Sequence, residues 1–232
     1  MCARYCLVKD LTEVITRVLG LDGLPKLSPR YNLAPRQIAP VIVQAGGRPA
    51  CKFLRWGLVP AWADDERVGA KMINARAETV AEKPAFRQAF KARRCLVPAD
   101  GFYEWENTAA GKEPRRFTMA DDRVFCFAGL WERWRRPAAN PPDLFRAEGD
   151  PAAVADWLET FAIITTEAND LVRPVHVRMP VILPASEWRA WLDPDSPREA
   201  LRALLRPFPS AAMRAERVSR RLNNPRFEGR PP

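Results

Sequence analysis

The sequence has a single histidine, His176, and none of its five cysteines belongs to a C-x-x-C pair. One imidazole excludes a metal centre built from several histidines, and the cysteine spacing argues against a zinc ribbon. The odd number of cysteines also argues against a disulfide framework and indicates a reducing compartment. We expect neither a metal nor an organic cofactor.

Long apolar runs are missing as well. No stretch approaches the ~20 apolar residues of a membrane-spanning helix. The N-terminus reaches Lys9 and Asp10 before a signal-peptide apolar region can form. We therefore expect a soluble protein that makes no membrane contact and is cytoplasmic, associated with the nucleoid if its source is bacterial.

The composition is rich in basic and apolar residues. The formal net charge is +9, and the excess is mostly arginine, a residue suited to phosphate contacts. This balance favours a nucleic acid or another polyanion as partner, although arginines on an ordinary solvated surface would give the same composition. With 47% hydrophobic residues and eight tryptophans, the chain can bury a sizeable core.

Several short elements can be predicted from the residue pattern. Residues 2–8 read as a short strand, and an amphipathic helix is predicted from Asp10, ending at Gly20. Residues 40–44 and 51–56 read as two strands of a hairpin turned by a pair of glycines. Each of these elements is too short to hold a core alone.

Short strands outnumber helices, and the two do not alternate regularly. The sequence therefore predicts an α+β fold, a single domain over residues 1–232 with a curved, mostly antiparallel β-sheet or barrel flanked by helices. Residues 135–151 are rich in proline and lack periodicity, which predicts a flexible insertion. Residues 223–232 read as a tail.

The N-terminus carries the most distinctive chemistry. Cys2 is small enough that removal of Met1 is expected, which would leave one residue with both a free α-amine and a thiol. The α-amine has a pKa of ~7.7–8 against ~10.4 for lysine, so part of it is neutral at pH 7. Such an amine forms an imine with an aldehyde, and the adjacent thiol can close a thiazolidine ring. The alternative is that Cys2 is only a small apolar residue starting a strand.

Two further stretches hold candidate polar groups. Residues 73–78, if extended, place Asn74, Arg76 and Glu78 on one face, either a solvated strand edge or the wall of a polar cleft. Glu104 lies between two aromatic residues on a predicted strand. Burial there would raise its pKa toward neutrality, as a general acid or base requires, whereas a half-exposed strand would leave it an ordinary surface glutamate.

Taken together, seven motifs resemble those of the SOS-response-associated peptidase (SRAP) family, proteins that capture abasic sites in single-stranded DNA. The resemblance covers almost the whole chain, and its specificity comes from the joint presence of the motifs in order. They are MCAR at 1–4, YNLAP at 31–35, RWGLVP at 55–60, INARAET at 73–79, RCLVPADGFYEW at 94–105, AGLWE at 128–132 and HVRMP at 176–180.

The resemblance implies a role for each catalytic candidate. Mature Cys2 would form a thiazolidine with the ring-opened aldehyde of an abasic deoxyribose, and so shield the lesion from strand cleavage. Asn74 would hold the N-terminal amine and the sugar. Glu104 would act as the acid and base of ring opening, imine formation and ring closure. His176 would contact the sugar and the adjacent phosphate and assist proton transfer.

The resemblance also implies a DNA-binding set. Arg76 matches a contact to the backbone phosphates, and Arg4 and Trp105 would line the DNA channel, the indole as a surface for a neighbouring base. Arg178 belongs to the same expected set. An abasic site offers no base to read, so affinity would come from phosphate contacts. We expect the protein to act as a monomer.

Two residues depart from the family pattern. The family usually has glycine after the cysteine, where this chain has Ala3, so a methyl group is added beside the nucleophile. An acidic residue is common between the histidine and the arginine, where this chain has Val177, which could change the orientation of His176. Neither change removes a group that the chemistry needs.

Two other functions use the same residues. Cys2 as nucleophile, His176 as base and Asn74 as orienting residue would suit a thiol peptidase, or self-processing of Met1. Alternatively, the arginines and Trp105 would make a non-catalytic binder of single-stranded nucleic acid in which Cys2 is inert.

Overall fold

Thirteen β-strands and four short α-helices make up the regular structure of the computed structural model, which describes residues 2–109, 111–136 and 157–229. The strands are β1 (Tyr5–Leu7), β2 (Arg30–Leu33), β3 (Ile38–Ala45), β4 (Arg48–Trp56), β5 (Asn74–Arg76), β6 (Arg94–Ala99), β7 (Gly101–Thr108), β8 (Gly111–Met119), β9 (Phe125–Arg135), β10 (Trp157–Glu167), β11 (Arg178–Pro180), β12 (Ile182–Leu183) and β13 (Met213–Arg217). The helices are α1 (Thr12–Leu19), α2 (Arg87–Ala92), α3 (Trp188–Leu192) and α4 (Arg198–Ala203).

Five strands close into a barrel. Its strands follow the order β10-β4-β3-β6-β9, and β9 pairs with β10 to complete the ring. All neighbours in the ring are antiparallel except β4 and β10, which are parallel. Short strands β5, β11 and β12 extend this sheet beyond the barrel. The prediction of a mostly antiparallel α+β domain with a barrel is confirmed.

Aromatic rings fill the barrel and connect it to β5. Trp56 stacks on Phe161, with 6.1 Å between ring centroids and 11° between planes, and Tyr5 meets Trp56 edge-on at 5.3 Å. The Trp56 indole Nε1 donates a hydrogen bond of 2.8 Å to the carbonyl oxygen of Ile73. Since Asn74 is the next residue, the packed core fixes the start of β5, which carries a candidate site residue.

The glycine of the RWGLVP motif, Gly57, is required by its backbone conformation. Gly57 has a φ of +124°, and a Cβ added there would lie 2.7 Å from the carbonyl oxygen of Gly69. Only glycine permits both this backbone conformation and this close approach. The chain can therefore leave β4 and pass directly against the 3₁₀ turn of residues 66–71.

The second sheet carries the N-terminal segment. Its strand order is β13-β8-β7-β1-β2, with every pair antiparallel. The strand predicted for residues 2–8 is shorter than expected, because regular pairing begins only at Tyr5. The carbonyl of Cys2 is bound by the Asn74 side chain and not by a neighbouring strand. Residues 2–4 therefore approach the barrel sheet.

The helices cover the outside of the barrel. Helix α1 ends at Gly20 as predicted, with φ +68° and a hydrogen bond from its N–H to the carbonyl of Thr16. In α3 the buried Trp191 donates through Nε1 to the carbonyl of Cys95 in β6, at 2.9 Å. None of the helices in the described ranges is long and apolar enough to cross a membrane.

The two segments predicted outside the regular fold have different outcomes. The insertion predicted at 135–151 lies, beyond residue 136, outside the described residues. Residues 223–229 of the predicted tail follow a 3₁₀ turn at 220–223 and lie against the second sheet. Leu222 is fully buried there, in a small cluster with Cys6 and Tyr103.

Candidate active site

Asn74 connects β5 to the N-terminal segment. Its side-chain Nδ2 donates a hydrogen bond of 2.8 Å to the carbonyl oxygen of Cys2. Parallel pairing with β10 opposite Ile163 holds Asn74 in place. The side-chain Oδ1 is buried and has no hydrogen-bond partner among the described residues. A buried carbonyl of this kind is a ready acceptor for a donor that arrives nearby.

The thiol of Cys2 is buried. The side chain is 0% exposed, and its nearest polar partner is the carbonyl of Arg4, 3.8 Å from Sγ. Burial raises the pKa of the Cys2 thiol well above its ordinary value, and the charge of Glu104 raises it further. The thiol is therefore protonated at neutral pH and lies within electrostatic range of the Glu104 carboxyl.

Glu104 occupies the buried half of β7. It is 4% exposed, and burial raises the pKa of its carboxyl from 4.5 to about 7. Both protonation states of this carboxyl are thus populated near neutral pH, which is what a residue that donates and accepts protons in turn requires. The prediction that burial shifts this carboxyl toward neutrality agrees with its surroundings.

His176 lies just before β11 and lines the same cleft as Glu104. Its Nδ1 is 3.0 Å from both the amide nitrogen and the carbonyl oxygen of Arg178. The amide donates to Nδ1 when the ring proton is on Nε2, and the carbonyl accepts when Nδ1 is protonated. The backbone of Arg178 can thus hydrogen-bond Nδ1 whether or not Nδ1 carries the proton. Partial burial lowers the pKa of His176 below its ordinary value, so the neutral ring prevails at pH 7.

Glu104 and His176 line the same cleft, of ≈570 Å³. Arg4, Trp105 and Lys112 form other parts of its wall. Cys2 and Asn74 do not line this cleft. Ala3, the residue next to Cys2 in the chain, does line it, and so connects the cleft to the hydrogen-bonded pair of Cys2 and Asn74. The cations Arg4 and Lys112, beside a single carboxyl, favour an anionic ligand.

Arg4 and Trp105 are fixed by the C-terminal segment. The Arg4 guanidinium lies 5.6 Å from the centroid of the Trp105 ring, and its Nη1 donates to the carbonyl of Leu222 at 3.1 Å. The Trp105 Nε1 donates to Asn223 Oδ1 at 2.7 Å. The indole is partly exposed and lines the cleft, so part of the ring is accessible there.

The two other predicted DNA contacts differ from each other. Arg76 is exposed on β5 and makes no side-chain hydrogen bond within the described residues. Arg178 instead forms two hydrogen bonds with the carboxylate of Glu78, at 2.6 and 3.0 Å, and one with the carbonyl of Thr165 at 2.6 Å. Arg76 is available to a ligand, whereas Arg178 mainly fixes the backbone that holds His176.

Sequence reasoning missed several contributors. Asn32 is fully buried, accepts from Arg4 through Oδ1 at 2.9 Å, and donates through Nδ2 to two carbonyls of the C-terminal segment. Lys112 and Asn107, paired across the β7–β8 hairpin, line the cleft. The YNLAP motif was the only signal for Asn32, and nothing local distinguished the other two.

The two departures from the family pattern lie in different surroundings. Ala3 lines the cleft, so its methyl group does border the site. Val177 is 71% exposed, and the backbone of Arg178, not the side chain at 177, contacts the His176 ring.

The fold and the site define a class of protein: a closed barrel beside a buried cysteine at position 2, an amide, a buried carboxyl and a histidine. Comparison of sequences identifies the class. Residues 1–225 match the family described as SOS response associated peptidase (SRAP). The chain belongs to this family.

Relatives and solved structures agree with this assignment. The chain is 39% identical over 230 residues to "Abasic site processing protein YoqW" of Bacillus subtilis, covering 97% of this chain and 96% of that protein. It is 30% identical to "Abasic site processing protein HMCES" of Gallus gallus, covering 79% and 60%. A crystal structure of a Bacteroides thetaiotaomicron protein superposes with a TM-score of 0.78 at 27% identity, covering 94% of this chain and 93% of the other.

Proposed function

We propose that the protein processes abasic sites in single-stranded DNA by forming a covalent thiazolidine between the lesion and Cys2, once Met1 has been removed. Removal of Met1 is a chemical requirement, because the nitrogen of Cys2 is otherwise part of a peptide bond. The observation that carries the proposal is the Asn74 hydrogen bond to Cys2, which holds the N-terminal residue beside Glu104 and a cationic cleft.

The reaction joins three groups and releases one water. The neutral α-amine of Cys2 adds to the C1 aldehyde of the ring-opened deoxyribose and gives a carbinolamine. Loss of water, assisted by a proton from a general acid, leaves the protonated imine; sulfur then adds to its carbon, and the S–H proton passes to the conjugate base of that acid. The raised pKa of the Cys2 thiol supports this order, because an amine that attacks first does not need a thiolate.

Glu104 handles the protons in this scheme. Its protonated form donates to the departing hydroxyl of the carbinolamine, and the resulting carboxylate accepts the thiol proton before ring closure. A pKa of about 7 makes both transfers accessible at neutral pH. His176, neutral at this pH, donates its Nε2–H to the sugar or to the adjacent phosphate while Nδ1 accepts from the Arg178 amide.

Noncovalent binding comes first. Arg4, Lys112 and Arg76 attract the phosphates of the strand, and the exposed part of the Trp105 ring offers a stacking surface for a neighbouring base. Such contacts do not depend on the base sequence of the strand. Selectivity arises because only an aldehyde-bearing sugar reacts. The thiazolidine keeps the sugar from the β-elimination that would cleave the strand.

An oligonucleotide assay tests the proposal. Mature protein and an abasic single-stranded oligonucleotide are incubated and resolved under denaturing conditions. We expect an adduct that Cys2→Ala abolishes while salt-sensitive binding persists. A variant with one glycine retained before Cys2 should also bind without forming an adduct. Peptide turnover without an adduct would instead support a thiol peptidase, and binding without an adduct a non-catalytic binder.

A further inference from the structure

A second cleft, of ≈460 Å³, lies between α2 and the segment joining α3 to α4. It shares no lining residue with the candidate active site. Four of its ten lining residues are cationic, and none of the described lining residues is acidic: the cations are Arg87, Lys91, Arg94 and Arg198. We name these four residues the α2 cation cluster.

Arg94 is the buried member of the cluster. It is 4% exposed. Nε donates to the carbonyl of Trp191, Nη1 to two carbonyls of α2, and Nη2 to the carbonyl of Asp193. These bonds use four of its five N–H donors, so one Nη2 hydrogen has no partner among the described residues. Neutral carbonyls leave the charge uncompensated at close range, although Asp193, outside the cleft lining, acts on Arg94 electrostatically.

The exposed members of the cluster are not paired either. Arg87 and Lys91 stand four residues apart on one face of α2, where like charges repel. Within the described residues neither forms an ion pair, and Arg198 makes only a hydrogen bond of 3.0 Å to the carbonyl of Ala81. By contrast, four arginines on β8, β9 and β13 form ion pairs with carboxylates: Arg115, Arg116, Arg133 and Arg214. A concave site that gathers cations without a counter-charge fits an external anion.

We propose that the α2 cation cluster binds a phosphate group outside the active site. Guanidinium groups pair with phosphate oxygens in a bidentate manner, and the free Nη2 hydrogen of Arg94 adds a fixed donor. The phosphate comes either from a second stretch of the bound DNA strand or from a free nucleotide. This inference does not depend on covalent capture, since it concerns residues that take no part in the chemistry.

The test compares two variants that lose the same charge. Arg87→Gln/Lys91→Gln removes two exposed members of the cluster, and Lys26→Gln/Arg48→Gln removes one lysine and one arginine that line no described cleft. All four positions are exposed, so both proteins should fold, which thermal unfolding verifies. Arg94 is left intact because its carbonyl contacts hold α2 and α3 together.

Two probes distinguish the sources of the phosphate. With an intact single-stranded oligonucleotide lacking any aldehyde, we expect the slope of log K against log salt to fall by about 0.7 per lost phosphate contact in the cluster variant. With inorganic phosphate and a nucleoside monophosphate, titration should shift the arginine Nε–H NMR resonances of the wild type and not of the cluster variant. An effect on the oligonucleotide alone assigns the site to the strand, and one on the small anions alone to a nucleotide. If the cluster and control variants behave alike with every probe, the proposal is wrong.

Discussion

The amide of Asn74 holds the carbonyl of Cys2 at 2.8 Å, across 72 residues of sequence. One end of this hydrogen bond is fixed by β10 and by the Trp56 contact to Ile73, so the barrel core determines where Cys2 lies. The other amide atom, Oδ1, is buried without a partner in the described chain. In our proposal, this oxygen accepts a hydrogen bond from the α-amine of Cys2 that removal of Met1 creates.

Replacing Asn74 should therefore slow adduct formation more than it weakens DNA binding. Loss of the hydrogen bond costs about 1–3 kcal/mol, which corresponds to a fall in rate of roughly 5- to 150-fold for Asn74→Ala. Single-turnover rates measured with an abasic oligonucleotide give this value. Asn107→Ala is the control, because Asn107 lines the cleft and, among the described residues, its side chain makes no hydrogen bond to residues 2–4. Equal losses for the two variants would contradict the tethering role.

The pH dependence of the rate should reveal Glu104. Its carboxyl must be protonated to donate, so activity is retained below the folded pKa of about 7 and lost as the pH rises through it. The α-amine, in contrast, must be neutral, so the acidic limb rises toward its pKa of ~8. We expect a bell-shaped profile whose alkaline limb disappears in Glu104→Gln, with the maximum lowered about 10²- to 10⁴-fold.

Glu106→Gln is the matched control for this profile. Glu106 lies on the same strand but is ion-paired with Arg115 at 2.6 Å and does not line the cleft. Its variant should keep the alkaline limb. A Glu104→Gln protein that also keeps the limb would assign the titrating group to another residue.

Trp105→Ala should weaken binding of intact single strands without changing its salt dependence. Stacking on an indole contributes about 1–3 kcal/mol per base and is not ionic. Arg4→Gln should instead reduce the salt slope, since our proposal assigns a phosphate contact to this arginine. Fluorescence anisotropy at several salt concentrations separates the two effects. Trp157→Ala, at an exposed indole outside the cleft, should leave both quantities unchanged.

Leu222→Ala should destabilise the protein and disturb the site together. Leu222 is 0% exposed, and truncating a buried leucine costs about 2–5 kcal/mol of unfolding free energy. Its carbonyl also accepts from Arg4, so weaker DNA binding should accompany the loss. Urea unfolding and anisotropy measure the two effects. Leu204→Ala, at a half-buried position, should have a smaller effect on stability and none on affinity.

The sequence indicates candidate site residues, but it does not indicate how they are held. Cys2 and Glu104 can be chosen from local chemistry, an N-terminal aminothiol and a carboxyl between aromatic residues. The hairpin over Gly46 follows from turn chemistry, and α1 ends where its glycine allows. The closure of β9 on β10 depends on tertiary packing that no local pattern records.

The contacts that support the site also join residues that are far apart in the sequence. Asn32 bonds to a carbonyl 192 residues away, and Trp105 bonds to Asn223 across 118 residues. Residues 223–229 look like a tail because they are polar and contain no periodicity. Part of their contact with Asn32 is made by backbone carbonyls. Because every residue type carries a backbone carbonyl, the sequence does not indicate this contact.

The state of Cys2 in the adduct tests the central claim most directly. Mature protein is crosslinked to an abasic single-stranded oligonucleotide without a reducing agent, and the N-terminal peptide is analysed by mass spectrometry after treatment with thiol- and amine-specific reagents. We predict a mass equal to the sum of the two partners less one water, with neither the thiol nor the amine of Cys2 open to modification. A linked peptide whose Cys2 thiol is still alkylated would contradict the account.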